Sequence, residues 1–228
     1  MKIEILQEIV KKKSSKKRFA VLKNLTNGKS ELFEVGSPLS DELNVHKKDI
    51  ENYYNQKKNG IINETNIFIE NYTKPIEVII VGAVHIAQYL IDFSKNLNLM
   101  ITIIDPREYF TKKQTFKNVK IINEWPEKIL EQLQSNNNSA LITLTHDPKI
   151  DDPALQFALK NKFFYIGALG SKKTHEKRCQ RLKDSGHTKE QIDSIHGPIG
   201  LKLGGKSATE IALSIIAQLV LEINKLKI

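Results

Sequence analysis

The sequence predicts an α/β protein in which a doubly wound parallel sheet follows a small α+β N-terminal module, and three features lead there. From residue 76 onward, short and nearly continuous apolar runs alternate with amphipathic stretches, the pattern of successive βα units whose strands are buried on both faces. The first of those runs empties into a glycine turn, Gly82-Ala83-Val84, at the head of a helical stretch. Ahead of Lys74-Pro75 the chain is richer in Asn and Lys and is broken by turn residues. Residues 1–74 are therefore expected to form the module and its connector, and residues 75–228 the larger domain.

Within the module, Ile3, Leu6, Ile9 and Val10 recur at helical spacing, and Phe19-Ala20-Val21-Leu22 follows as a strand. Asn27-Gly28 suits a hairpin that brings Glu31-Leu32-Phe33 back onto that strand. Residues 47–71, dense in Asn, Lys and Glu, suggest exposed helix and a connector. In the larger domain, strands are expected over 77–81, 100–104, 120–122, 140–145 and 163–166, with helices over 85–96, 126–134, 153–160, 172–185 and 208–224. The last helix has a capping box in Ser207 and Glu210, and Asp152-Pro153 carries a helix-start signal.

Composition narrows the function classes. The 228 residues are 40% hydrophobic and 27% charged, ordinary globular usage that excludes collagen-like, coiled-coil and low-complexity architectures. The net charge of +9 comes from lysines scattered along the chain. Its one dense run, Lys11 to Lys13 with Lys16 to Arg18, has no interleaved aromatic residues on which bases could stack, so no nucleic-acid partner is expected. No apolar run approaches a membrane span and the first residues lack a signal peptide's apolar core, so no membrane partner is expected either. Cys179 is the sole cysteine, which precludes an intrachain disulfide or a Cys-built metal centre and fits a cytoplasmic location.

In a doubly wound sheet, ligands bind beyond the carboxyl ends of the strands where the strand order reverses. Gly82, Ala83 and His85 lie at the first such end, within a Rossmann-like G-x-G-x-x-A fingerprint whose middle glycine is replaced by Val84. Asp105 ends the next strand, where a ribose-binding acid belongs, with Arg107 two residues on. This turn raises a second reading, an NAD(P)-dependent oxidoreductase of a small molecule, which the Val84 side chain disfavours by blocking close approach of a pyrophosphate. The fourth strand runs into Thr145, His146 and Asp147, a hydroxyl, an imidazole and a carboxylate in one turn. The fifth runs into Gly167, Gly170 and Ser171, whose backbone amides at a helix start suit an anion. His175 and Arg178 follow at i, i+3, with Lys172 and Lys173 adding positive potential. His146, Asp147, His175 and His196 lack an H-x-x-x-H spacing, so no metal site is expected.

Together, residues 78–88 (VIIVGAVHIAQ), 144–153 (LTHDPKIDDP), 164–175 (FYIGALGSKKTH) and 196–200 (HGPIG) resemble the XdhC/CoxF family, accessory proteins of xanthine dehydrogenase and related molybdenum hydroxylases. The resemblance implies a Rossmann-like domain in a chaperone-like, rather than catalytic, protein. Such a protein holds the molybdenum cofactor, assists its sulfuration by a cysteine desulfurase and passes it to the apo-hydroxylase, and a homodimer is compatible with it. Longer members carry a Gly-Gly-Cys stretch near the N-terminus that has no counterpart here, so a partner is expected to supply the sulfur. The cofactor's phosphate is expected on the amides of Gly82-Ala83 or Gly170-Ser171, with its pterin against Thr145, His146 and Asp147.

Overall fold

The computed structural model describes the chain apart from residues 1–2, 16, 114–115, 117–118, 134–137 and 227–228. Lys16 of the basic run and Gln134, the expected end of one helix, thus lie outside the described residues. The chain divides into two compact units, Met1–Pro75 and Ile76–Leu226.

The first unit contains α1 (Ile3–Ser14), β1 (Phe19–Asn24), β2 (Ser30–Phe33), α2 (Asp41–Asn44), α3 (Lys47–Asn55), β3 (Gly60–Ile61) and β4 (Ile67–Tyr72). Its strands form an antiparallel sheet in the order β2-β1-β4-β3. The alternation along β1 makes the sheet two-sided. Ala20 and Leu22 join Phe33, Ile50 and Ile69 on one face, while Phe19 and Val21 meet Ile9 of α1 on the other. Residues 47–71 are not the exposed helix and connector expected from their composition. Ile50, Tyr53 and Tyr54 bury one stripe of α3, and Ile67 and Ile69 make β4 an inner strand of the sheet. A few apolar residues at the right spacing outweigh the polar ones around them.

The second unit runs β5 (Ile76–Val81), α4 (His85–Ser94), β6 (Leu99–Ile104), α5 (Glu108–Lys113), β7 (Lys120–Ile122), α6 (Pro126–Ile129), β8 (Ser139–Thr143), α7 (Pro148–Lys160), β9 (Tyr165–Ala168), α8 (Lys172–Asp184), α9 (Lys189–Asp193), β10 (Ile195–His196) and α10 (Ala208–Lys225). A 3₁₀ turn, Leu130–Gln132, continues α6. The six strands are parallel in the order β10-β9-β8-β5-β6-β7, the doubly wound Rossmann arrangement. Both faces are covered, which accounts for the unbroken apolar runs. Val78 and Ile80 pack with Leu90 of α4 and Ile215 and Leu219 of α10, whereas Ile79 and Val81 pack with Leu130 and with Ile150 and Leu155 of α7.

Two boundaries differ from expectation for physical reasons. Helix α7 starts at Pro148, not Pro153, because Asp147 accepts the Lys149 N–H at 2.9 Å and caps it. Asp152 instead holds Arg181, Nε to Oδ2 at 2.5 Å and Nη2 to Oδ1 at 3.0 Å, leaving Pro153 inside the helix. Strand β9 starts late and includes Gly167, whose added Cβ would lie 2.4 Å from Ile199 Cδ1. That glycine therefore serves strand packing and is not part of an anion-binding turn. The capping box of Ser207 and Glu210 on α10 forms as expected.

Candidate functional site

Strand β5 lies between β6 and β8, so the strand order reverses there, the position at which ligands commonly bind in such sheets. Gly82 leaves β5 at φ +118°, and a Cβ on it would come 2.8 Å from Thr145 Cγ2. The glycine thus lets the β5–α4 and β8–α7 turns touch. Its N–H bonds to Ile104 O at 2.9 Å, and the Ala83 N–H bonds to Asp105 Oδ2 at 2.8 Å. Neither amide is left to receive a phosphate, which corrects one of the two expected cradles. Asp105 is fully buried and gripped by Arg107, with Nε to Oδ1 at 2.9 Å, Nη2 to Oδ2 at 2.8 Å and the Arg107 backbone N–H to Oδ1 at 3.0 Å. Both carboxylate oxygens are bonded within the chain, so Asp105 organises the turn and is not presented to a ribose. The Arg107 guanidinium also lies 4.3 Å from the centre of the Phe110 ring. Val84 precedes α4 without a side-chain cap, and His85 is exposed at its head.

The β8–α7 turn is tied to one buried carboxylate. Asp151 is 1% exposed and accepts the Thr145 hydroxyl at 2.6 Å, the Thr145 N–H at 3.3 Å and the His146 N–H at 3.1 Å. Thr145 Oγ1 in turn accepts the Asp147 N–H at 3.1 Å. The Thr145 hydroxyl therefore faces the protein and is not free for a pterin. Burial pushes the Asp151 carboxyl above its ordinary range, against the pull of the Thr145 bond and of Arg178. His146 takes a left-handed φ of +62° and stands exposed, while Asp147 is half-buried.

The β9–α8 turn supplies the complementary charge. Ser171 caps α8, its Oγ accepting the Thr174 N–H at 3.1 Å, and the N–H groups of Lys172 and Lys173 remain at the head of the first turn. Between this helix and the β8–α7 turn lies a cavity of about 240 Å³, walled by His146 and Asp151 on one side and by Ser171, Lys173, Lys177 and Arg178 on the other. Arg181 stands at its edge, paired with Asp152. Arg178 is 2% exposed. Its Nη2 donates to Leu169 O at 2.8 Å and stands 4.0 Å from Asp151 Oδ2. Among the described residues nothing accepts from its Nε or Nη1. Burial pulls its pKa down, yet a guanidinium stays charged at any physiological pH.

His175 departs from its expected place. It packs on Gly197, where a Cβ would lie 2.0 Å from its Nδ1, and its Nε2 is 3.4 Å from Cys179 Sγ. The i, i+3 spacing that joined it to Arg178 yields to its i, i+4 pairing with Cys179. Burial lowers the His175 pKa and raises that of the Cys179 thiol, the opposite of an activated thiolate.

The structure thus gathers Gly82, Ala83, Asp105, Arg107 and Thr145 at the switch point. His146, Asp147, Gly170 and Ser171 lie on the two turns next to it, and Gly167 and His175 are turned away. Sequence reading passed over Asp151, Lys177 and Arg181, and gave Arg178 no role at the site. The stripe Ser171, Thr174, Arg178, Arg181, at helical spacing after a capping serine, is the signal that could have found the helical wall. Among the described residues no cluster of His, Cys, Asp and Glu suits a metal, and no helix is long and apolar enough to cross a membrane.

Comparison with known proteins adds to this geometry. A family model described as the XdhC Rossmann domain matches residues 78–219, more than half of the chain. The molybdenum cofactor insertion chaperone PaoD of Escherichia coli K12 is 39% identical over 85 residues, covering 37% of this chain and 27% of PaoD. A relative from Bacillus subtilis 168, described as a probable subunit of xanthine dehydrogenase, is 27% identical over 157 residues, covering 68% of this chain and 46% of the relative. The chain therefore spans less than half the length of these curated relatives. A crystal structure described as a xanthine dehydrogenase from Bacillus halodurans superposes with a TM-score of 0.74 at 23% identity, covering 97% of this chain and 64% of that one, and so shares the fold.

Proposed function

Because this chain belongs to the XdhC family, we propose that it is an accessory protein that holds the molybdenum cofactor for a xanthine dehydrogenase-type molybdenum hydroxylase. The cofactor is cargo, bound at the strand ends and passed on. What carries the reading is the positive cavity between the β8–α7 turn and α8, in a domain related to a named cofactor insertion chaperone. Molybdopterin joins an anionic phosphate to a flat, hydrogen-bonding pterin, and a cavity with cationic groups on its helical wall and a polar turn on the other suits both parts. Asp147 uses Oδ1 for the helix cap, leaving Oδ2 for the N–H donors of the aminopyrimidinone edge, with His146 beside it. Exchange of an oxo for a sulfido ligand needs a sulfur donor. Cys179, with its raised pKa, is poorly suited to relay sulfur, so a cysteine desulfurase partner supplies it. This chain contributes binding, orientation and shielding from water.

The nicotinamide reading is weaker for a specific reason: the acid that would meet a ribose is clamped by Arg107, and the amides beside it are already bonded. Melting of the purified protein separates the two, since a ligand that prefers the folded state raises Tm. Molybdenum cofactor released from a molybdoenzyme is expected to raise it saturably, and NAD+ or NADP+ to leave it unchanged. A shift with the nicotinamides alone would overturn the proposal.

A further inference from the structure

We infer that the cavity between the β8–α7 turn and helix α8 is a phosphate-monoester subsite, with Arg178 as its buried ligand and Lys173 and Lys177 as its rim. Assigning that phosphate to the cargo rests on the function proposed above.

Arg178 is a buried charge whose hydrogen-bonding capacity is only partly met. A guanidinium removed from water needs both an opposite charge and acceptors for its hydrogens. Arg178, 2% exposed, has a backbone carbonyl on Nη2 and, among the described residues, no acceptor on Nε or Nη1. The nearest carboxylate, Asp151, stands 4.0 Å off and is occupied by three donors from the β8–α7 turn. Arg181 cannot share the load, because its fork is closed on Asp152. The charge around the cavity is therefore positive in excess, since Lys173 and Lys177 also line it.

The shape of the site selects among anions. The Ser171 cap sets the first turn of α8 with the Lys172 and Lys173 amides at its head, and the helix dipole there favours negative charge. Gly170 allows the chain to turn tightly against this region: at φ +150°, a Cβ would meet Thr174 at 3.0 Å and come within 3.8 Å of Arg178 Nη2. The cavity is thus lined by a buried guanidinium, the capping serine of a helix start and two lysines. A tetrahedral dianion with three terminal oxygens can engage all of them, whereas a planar carboxylate would leave part of the set unmatched. A cavity of about 240 Å³ admits a phosphate group.

The test uses the full chain with inorganic phosphate as probe and chloride at matched ionic strength as control, followed by the intact cofactor. Phosphate is expected to raise Tm saturably and to compete with the cofactor. Arg178→Met should weaken phosphate about tenfold or more through loss of charge-assisted bonds. Because that buried variant could misfold, Lys173→Glu/Lys177→Glu on the exposed rim provides a second probe, expected to weaken phosphate and cofactor together with an unchanged Tm in chloride. Phosphate that acts no differently from chloride, or equally on wild type and rim variant, overturns the subsite. Cofactor binding that survives unchanged in the rim variant while phosphate is lost overturns its assignment to the cargo and leaves the proposed function standing. Saturable phosphate binding with no cofactor binding to wild type removes the proposed function and upholds the cavity as a phosphate site.

Discussion

Arg107 lies side-on against Asp105, with paired hydrogen bonds of 2.9 and 2.8 Å to a carboxylate that has no solvent exposure. A nucleotide-binding sheet commonly presents its acid at this position to a ribose; here the acid is consumed by the chain itself and steadies the β5–α4 turn through the Ala83 N–H.

Arg107→Ala should cost about 2 kcal/mol, below the usual penalty for breaking a fully buried pair because Arg107 is itself partly exposed. Arg107→Lys should recover only part of this, since an ammonium cannot reproduce the two-point grip. Urea denaturation reads both, and an unchanged midpoint for the alanine variant would contradict the role given to the pair.

Gly82→Ala should destabilise by about 2 kcal/mol through its positive φ and the Thr145 methyl group. Thr145→Ser removes that methyl and keeps a hydroxyl for Asp151, so combining the two should restore part of the loss. Simple additivity in a double-mutant cycle would show that the two turns do not touch.

Asp147→Ala should cost about 1 kcal/mol by removing the α7 cap. Asp147→Ser should return the stability without the carboxylate. Comparing cofactor retention in the serine variant and wild type isolates the ligand role: retention is expected to fall, and equal retention would leave Asp147 a cap alone.

Acid should weaken the fold through His175 and His196. Burial is the main cause lowering both pKa values from the ordinary 6.5, so each contributes stability that is present above that value and is lost as the pH falls through the lowered, folded-state value. Asp151 acts with the opposite sign. Its raised pKa contributes stability that is full below its unfolded value of 3.8 and is lost as the pH rises through the folded value. Tm measured from pH 7 downward should therefore decline through the histidine range, and His175→Gln should flatten that decline. The same slope in the variant would exclude His175 as a source.

Five strands of the parallel sheet were legible because their runs are largely apolar, whereas β10, only Ile195 and His196, and the short helices α5 and α9 are too brief for a periodic pattern to show. The β4 strand escaped because Ile67 and Ile69 are set among Asn and Glu, and a two-residue alternation in a polar segment is a weak signal. The α7 start was misplaced because two Asp-Pro pairs compete, and the choice between them depends on Asp152 meeting Arg181, a contact between helices that local spacing does not reveal. At the site, the glycine turns and the Thr145–Asp147 turn could be read as strand-end features. The inward turn of the Thr145 hydroxyl, the burial of Arg178 and the diversion of His175 onto Gly197 depend on tertiary packing.

The most direct measurement is the molybdenum content of the protein after it is mixed with released cofactor and passed through a desalting column. Wild type is expected to retain metal in stoichiometric amount and the Lys173→Glu/Lys177→Glu variant to lose most of it. Metal no higher than in a control protein, with wild type folded, would contradict the proposed function.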